Sequence, residues 1–75
     1  MVIVKPVERW KRKGIKHALT SYLDGEKNLN WTIGEIKYFY VGKETLKKIF
    51  DELKDYGDKS RFQAVMQECE RQGLS

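Results

Sequence analysis

The 75-residue chain holds one cysteine, one proline and one histidine, and it has no long apolar run. Each scarcity excludes something. A lone Cys69 cannot form an internal disulfide, so no covalent staple holds the fold, and the composition suits a reducing, cytoplasmic setting. His17 has no carboxylate at ligand spacing, and Cys69 is far from it in sequence. A metal centre or a Cys/His nucleophile needs several converging groups, so none of either kind is expected. The apolar run MVIV at residues 1–4 is far too short for a signal peptide or a membrane span. No catalytic residue, cofactor or membrane partner is therefore expected. The size allows a single small domain over residues 1–75, burying roughly 60–65% of its unfolded surface.

What the chain does hold is charge: 35% of residues are Asp, Glu, Lys or Arg, against 40% hydrophobic, and the formal net charge is +4. This is a globular composition rather than a disordered one. The charge is uneven. Residues 1–17 carry six basic side chains (Lys5, Arg9, Lys11, Arg12, Lys13, Lys16) and one acid, Glu8, for +5, while the remaining nine basic and ten acidic residues give −1. The whole basic excess belongs to the N-terminal segment.

Apolar spacing predicts about four short helices. Residues 1–6 read as an extended arm or short strand, with Pro6 suited to a helix start. Val7 and Trp10 lie three apart, and Ile15, Ala18, Leu19, Tyr22 and Leu23 form a helical stripe that Gly25 ends. Gly14 interrupts the two. Thr32 and Glu35 have capping-box spacing for a helix burying Ile33, Ile36 and Phe39 or Tyr40. The aromatic, β-branched run KYFYV leaves a strand over 37–41, paired with residues 2–4, as the alternative. Leu46, Ile49, Phe50 and Leu53 mark a third helix, expected over 43–56 and closed at Gly57. Ser60 and Gln63 form a second capping-box pair, opening a helix that buries Phe62, Val65, Met66 and Cys69 and stops at Gly73. The fold class is mainly α, a compact bundle, with α+β as the alternative.

Few spacings carry chemistry. GKET at 42–45 resembles the end of a phosphate-binding loop, but Glu44 separates Lys43 from Thr45 and Lys37 stands where the upstream glycine belongs. The acids Asp51 and Glu52 lie on a charged helix face and read as solvated. More telling is the order of charge in the third helix. Lys43, Lys47 and Lys48 come early, and Asp51, Glu52 and Asp55 come late, opposing the helix dipole at a few tenths of a kcal/mol each. Pairs four apart (Glu44–Lys48, Lys47–Asp51, Lys48–Glu52) would return part of that. Alternatively the lysine-rich start meets phosphate.

Residues 32–53, TIGEIKYFYVGKETLKKIFDEL, resemble the helix-turn-helix of DNA-binding proteins. Glu35 and Ile36 match the acid–apolar pair of the first helix, Val41 and Gly42 the turn, and Lys43, Glu44, Thr45 and Leu46 the start of the recognition helix. The turn arrives one residue earlier than in the usual motif, and Tyr38 and Phe39 stand where a small residue is usual. The resemblance implies that Lys43, Glu44, Lys47 and Lys48 face the DNA groove and that Thr45 contacts phosphate. The segment ERWKRKGIKH adds Arg9, Lys11, Arg12, Lys13 and Lys16 around Trp10, a mixture of cations and ring that suits nucleic acid. Its plainer reading is an amphipathic helix with Trp10 in the core and a solvated basic rim.

Two functions follow. The first is a DNA-binding transcriptional regulator acting stoichiometrically on double-stranded DNA, as a homodimer because one short helix reads few bases. The second is a small protein–protein interaction module or inhibitor that uses an exposed aromatic face. The first requires Lys43, Lys47 and the 9–16 cluster to share a face.

Overall fold

The computed structural model describes residues 6–75 and shows four helices: α1 (Pro6–Leu23), α2 (Leu29–Tyr38), α3 (Lys43–Glu52) and α4 (Lys59–Arg71). They form a compact all-helical bundle with no strand among the described residues. Residues 1–5 of the arm expected over 1–6, and the alternative reading's strand at 2–4, lie outside the described residues, while Pro6 is the first residue of α1. A helix forms around Ile33 and Ile36, as the leading reading expected, and the alternative strand over 37–41 does not. Lys37 and Tyr38 close α2, and residues 39–42 make the turn to α3. Helical burial of Ile33 and Ile36 outweighs the β propensity of the aromatic run.

The core follows the apolar stripes. Ile15, Ala18, Leu19, Tyr22 and Leu23 of α1 meet Ile33 and Ile36 of α2, Leu46, Ile49 and Phe50 of α3 with Leu53 just beyond, and Val65 and Cys69 of α4. Phe39, Tyr40, Val41, Phe62 and Met66 cover its edges. Burying a large aliphatic or aromatic side chain contributes about 1.5–3 kcal/mol, so the thin core leans on all four helices. Trp10 does not join it. The ring is 58% exposed, against the reading that placed it inside. It sits five positions before Ile15, well round the helix from the buried stripe.

The helix starts differ from expectation. Both capping boxes begin too late. Asn28, not Thr32, caps α2, its side chain accepting the Trp31 N–H at 2.8 Å. Thr32 lies inside the helix, fully buried, with its hydroxyl donating to the Asn28 carbonyl at 2.9 Å. Asp58, not Ser60, caps α4, accepting the Arg61 N–H at 3.0 Å. In each case a stronger carbonyl or carboxylate acceptor lies upstream of the expected hydroxyl. The third helix also ends early, at Glu52 rather than residue 56, so Lys54 and Asp55 lie in the following turn.

Long-range contacts fix how the helices meet. Arg61 reaches back to the end of α1, donating Nε–H to the Tyr22 carbonyl at 2.6 Å and Nη2–H to the Lys27 carbonyl at 2.8 Å. Its guanidinium lies 4.2 Å from the Tyr22 ring centroid. Gly57 packs on the same place. With φ +67° and a would-be Cβ 2.8 Å from Leu23 Cβ, that position takes only glycine easily. Tyr56 donates its hydroxyl to Asp24 Oδ2 at 2.9 Å, and Tyr40 donates to the Leu74 carbonyl at 2.7 Å. At the middle of α1, Gly14 receives Phe39: a Cβ on Gly14 would lie 2.7 Å from the ring.

That contact yields a paired test. Alanine exceeds glycine in helix propensity by about 1 kcal/mol. Gly34 lies in α2 with open space around its Cβ position, so Gly34→Ala should raise unfolding free energy by about 1 kcal/mol in urea melts. Gly14→Ala must displace the Phe39 ring, and overpacking costs about 1–3 kcal/mol, so the same change there should be net destabilising. Equal stabilisation at both sites would show that Phe39 does not rest on Gly14.

The second test concerns Cys69. Burial foremost, then the nearby Glu68 and Glu70 charges, push its thiol from 9.0 up to about 11. The folded state thus holds this proton more tightly than the unfolded chain. Its contribution to stability is present below pH 9 and fades as pH rises towards 11. Native protein at pH 8 should resist thiol reagents until denaturant is added, and Cys69→Ala should lessen the alkaline loss of stability. Rapid labelling of the native protein at pH 8 would contradict this.

Candidate nucleic-acid interface

Arg9, Arg12, Lys13 and Lys16 follow one another at helical spacing, so they make a single stripe along α1 beside its buried face. All four are exposed. With Thr45, Ile49 and Glu52 of α3 they line a groove of about 440 Å³. Ile49 is fully buried at its floor, and Thr45 is half-buried. Among the described side chains the groove's one negative group is Glu52, which pairs with Lys16 at 3.1 Å across the two helices. That leaves Arg9, Arg12 and Lys13 as three cations on one wall.

Inward placement of Leu46, Ile49, Phe50 and Leu53 divides the rest of α3 into two flanks and a crest. Lys43, Glu44, Lys47 and Lys48 line a second, larger groove of about 1310 Å³ that reaches Phe62, Met66 and Glu70 of α4, and Arg12 borders this groove as well as the first. Arg12 therefore joins the two surfaces. By helical register Thr45 and Glu52 lie on the α1 side of α3, Lys43 and Lys47 lie towards α4, and Lys48 sits on the crest between them. Lys43 and Lys47 do not share the α1 groove: they line the second groove, which only Arg12 of the stripe borders, and Thr45 and Glu52 are the exposed or half-buried α3 residues beside the stripe. Lys11 is half-buried and borders neither groove.

The three ion pairs expected inside α3 do not form. The two ion pairs among the described residues are Lys16–Glu52 and Glu68–Arg71. Exposed pairs four apart return little for the side-chain freedom they cost, and Glu52 instead meets a cation on another helix. The opposed charges of α3 thus stay uncompensated within the helix. Its start also differs from those of α2 and α4: Gly42 stands at the N-cap and supplies no side-chain acceptor, and Lys43 follows directly.

A feature of a different kind lies on the other flank of α1. Phe39, seated on Gly14, holds Trp10 and Tyr38 edge-to-face, with ring centroids 5.2 and 4.8 Å away and interplanar angles of 83° and 85°. Tyr38 is 73% exposed. The abundance of rings in the sequence pointed to some exposed aromatic surface, but not to which rings. The available signal was a glycine at position 14 inside an otherwise helix-favouring segment.

Among the described residues, no group of three or more His, Cys, Asp or Glu side chains is placed to hold a metal ion. His17 is exposed, and Cys69 is sealed in the core. No described helix is long and apolar enough to cross a membrane. Set beside family models, curated proteins and solved structures, the chain matches none.

Proposed function

We propose that the chain is a small DNA-binding protein that acts by occupancy, as a transcriptional regulator does, in the cytoplasm. The observation that carries this reading is the exposed α1 stripe of Arg9, Arg12, Lys13 and Lys16 beside the first turns of α3. Cations spaced along one wall follow a phosphate backbone and release its counterions. The α2–turn–α3 sequence supports a helix-turn-helix use of α3, with Lys43, Glu44, Lys47 and Lys48 towards the bases and Thr45 at a phosphate. Two features make α1 the stronger anchor. Asp51 and Glu52 repel a polyanion along the second half of α3, and Lys43 and Lys47 stand off from the α1 stripe. A homodimer would present two such surfaces to neighbouring half-sites.

One observation favours a second reading, a protein-interaction module or inhibitor. Trp10 and Tyr38 expose large rings together, and exposed aromatics are enriched at the centres of protein interfaces. Binding of that kind would depend little on the α1 cations.

Duplex binding at a series of salt concentrations separates the two. The chain should bind duplex DNA at micromolar concentration in low salt, with a steep negative dependence of log affinity on log salt. Replacing Arg9, Arg12 and Lys13 by alanine should reduce the slope by about one for each phosphate left without its cation. Glu52→Gln should tighten binding and steepen the slope by releasing Lys16, with stability changed by no more than about 1 kcal/mol, since an exposed pair is worth little. No binding at low salt would overturn the reading, as would a slope indifferent to both changes.

A further inference from the structure

We propose that Trp10 and Tyr38 form a stacking step for unpaired bases beside the α1 phosphate groove, so that the DNA taken by this chain includes a single-stranded stretch. The inference rests on the DNA-binding reading and specifies its substrate. Its basis is the aromatic trio. Phe39 is pinned against Gly14, and Trp10 and Tyr38 meet it edge-to-face, each within about 5 Å of its centroid. The two outer rings are therefore oriented by the fold while most of their surface stays open, at 58% and 73% exposure. A ring held in place with an open face loses little freedom when a base lies on it. Paired bases in a duplex interior offer no free face to such a ring, whereas unpaired ones do.

Charge selects the occupant. Lys13, three positions on from Trp10 and so its neighbour on the helix surface, lines the α1 groove. A strand that leaves that groove across Lys13 reaches the Trp10 ring on the other flank of α1. Glu35, one turn before Tyr38, is half-buried. Cations beside open rings fit a single-stranded polyanion better than a protein partner or a second copy of this basic chain.

The test uses the full chain at low salt and three labelled DNAs: a blunt duplex, the same duplex with a single-stranded tail of about eight nucleotides, and one with an abasic tail of equal length, which keeps the phosphates and removes the bases. The base-bearing tail should bind about tenfold more tightly than the abasic tail, the scale of one stacked base. Trp10→Ala and Tyr38→Ala should each erode that advantage and leave blunt-duplex affinity within about twofold. Trp10→Phe should keep most of it. Circular dichroism establishes that each variant is folded, and the two alanine variants disturb different helices. Equal affinity for the base-bearing and abasic tails, or an advantage that survives both alanine variants, would overturn the proposal while leaving duplex binding intact. Self-association that disappears in Trp10→Ala without any tail effect would also overturn it, by assigning the rings to a second copy. Failure to bind any of the three DNAs would overturn the DNA-binding reading, and this inference with it.

Discussion

The contact between Phe39 and Gly14 is the constraint on which the functional surface depends. Phe39 is the C-cap of α2 and begins the turn that leads into α3. A side chain at position 14 would meet its ring, so the absence of one lets the turn sit against α1 near its basic end. That placement brings Thr45 and Glu52 to the α1 stripe and sets Trp10 and Tyr38 around a fixed ring. The C-terminal end of α1 is held independently, by Arg61 and Gly57 at Tyr22 and Leu23. With α1 held at its middle and at its C-terminal end, a thin core suffices to hold a charged groove in shape.

The groove is also where the charges of α3 find their use. Within the helix, lysines at the start and acids at the end oppose the dipole, and no intrahelical pair offsets them. Across the groove, Glu52 reaches Lys16 and reduces the positive charge at one end. Among the described side chains, Arg9, Arg12 and Lys13 have no acid in the groove, so these contribute a positive potential greatest on the Arg9–Lys13 part of the stripe. A charge pattern unfavourable for an isolated helix becomes intelligible as a graded surface, basic where α1 begins and neutral where α3 ends. A gradient of this kind orients a polyanion as well as attracting it.

Local periodicity made most of the fold legible. Every residue of the α1 stripe from Ile15 to Leu23, and the four apolar residues of the third helix, are buried as their spacing implied. The errors are those of reading a chain without its partners. Thr32 and Ser60 have the spacing of caps, but Asn28 and Asp58 reach the amides first. Trp10 resembles a core residue by its interval from Val7, yet its place relative to Ile15 turns it outward. Arg61 looks like any surface base, because the carbonyls it serves lie 39 and 34 positions away in sequence. The basic stripe was legible as composition and spacing. Its division of α3, with Thr45 and Glu52 towards α1 and Lys43 and Lys47 towards α4, depends on which residues of α3 turn inward against the other helices.

The central claim is that the α1 stripe and the near flank of α3 act as one phosphate-facing surface. Backbone amide chemical shifts, followed by NMR as a short duplex is added at low salt, test it most directly. The account predicts perturbations concentrated along residues 9–16 and 45–48, with residues 64–72 of α4 largely unmoved. Perturbations centred on α4, or none in α1 while the duplex is bound, would contradict it.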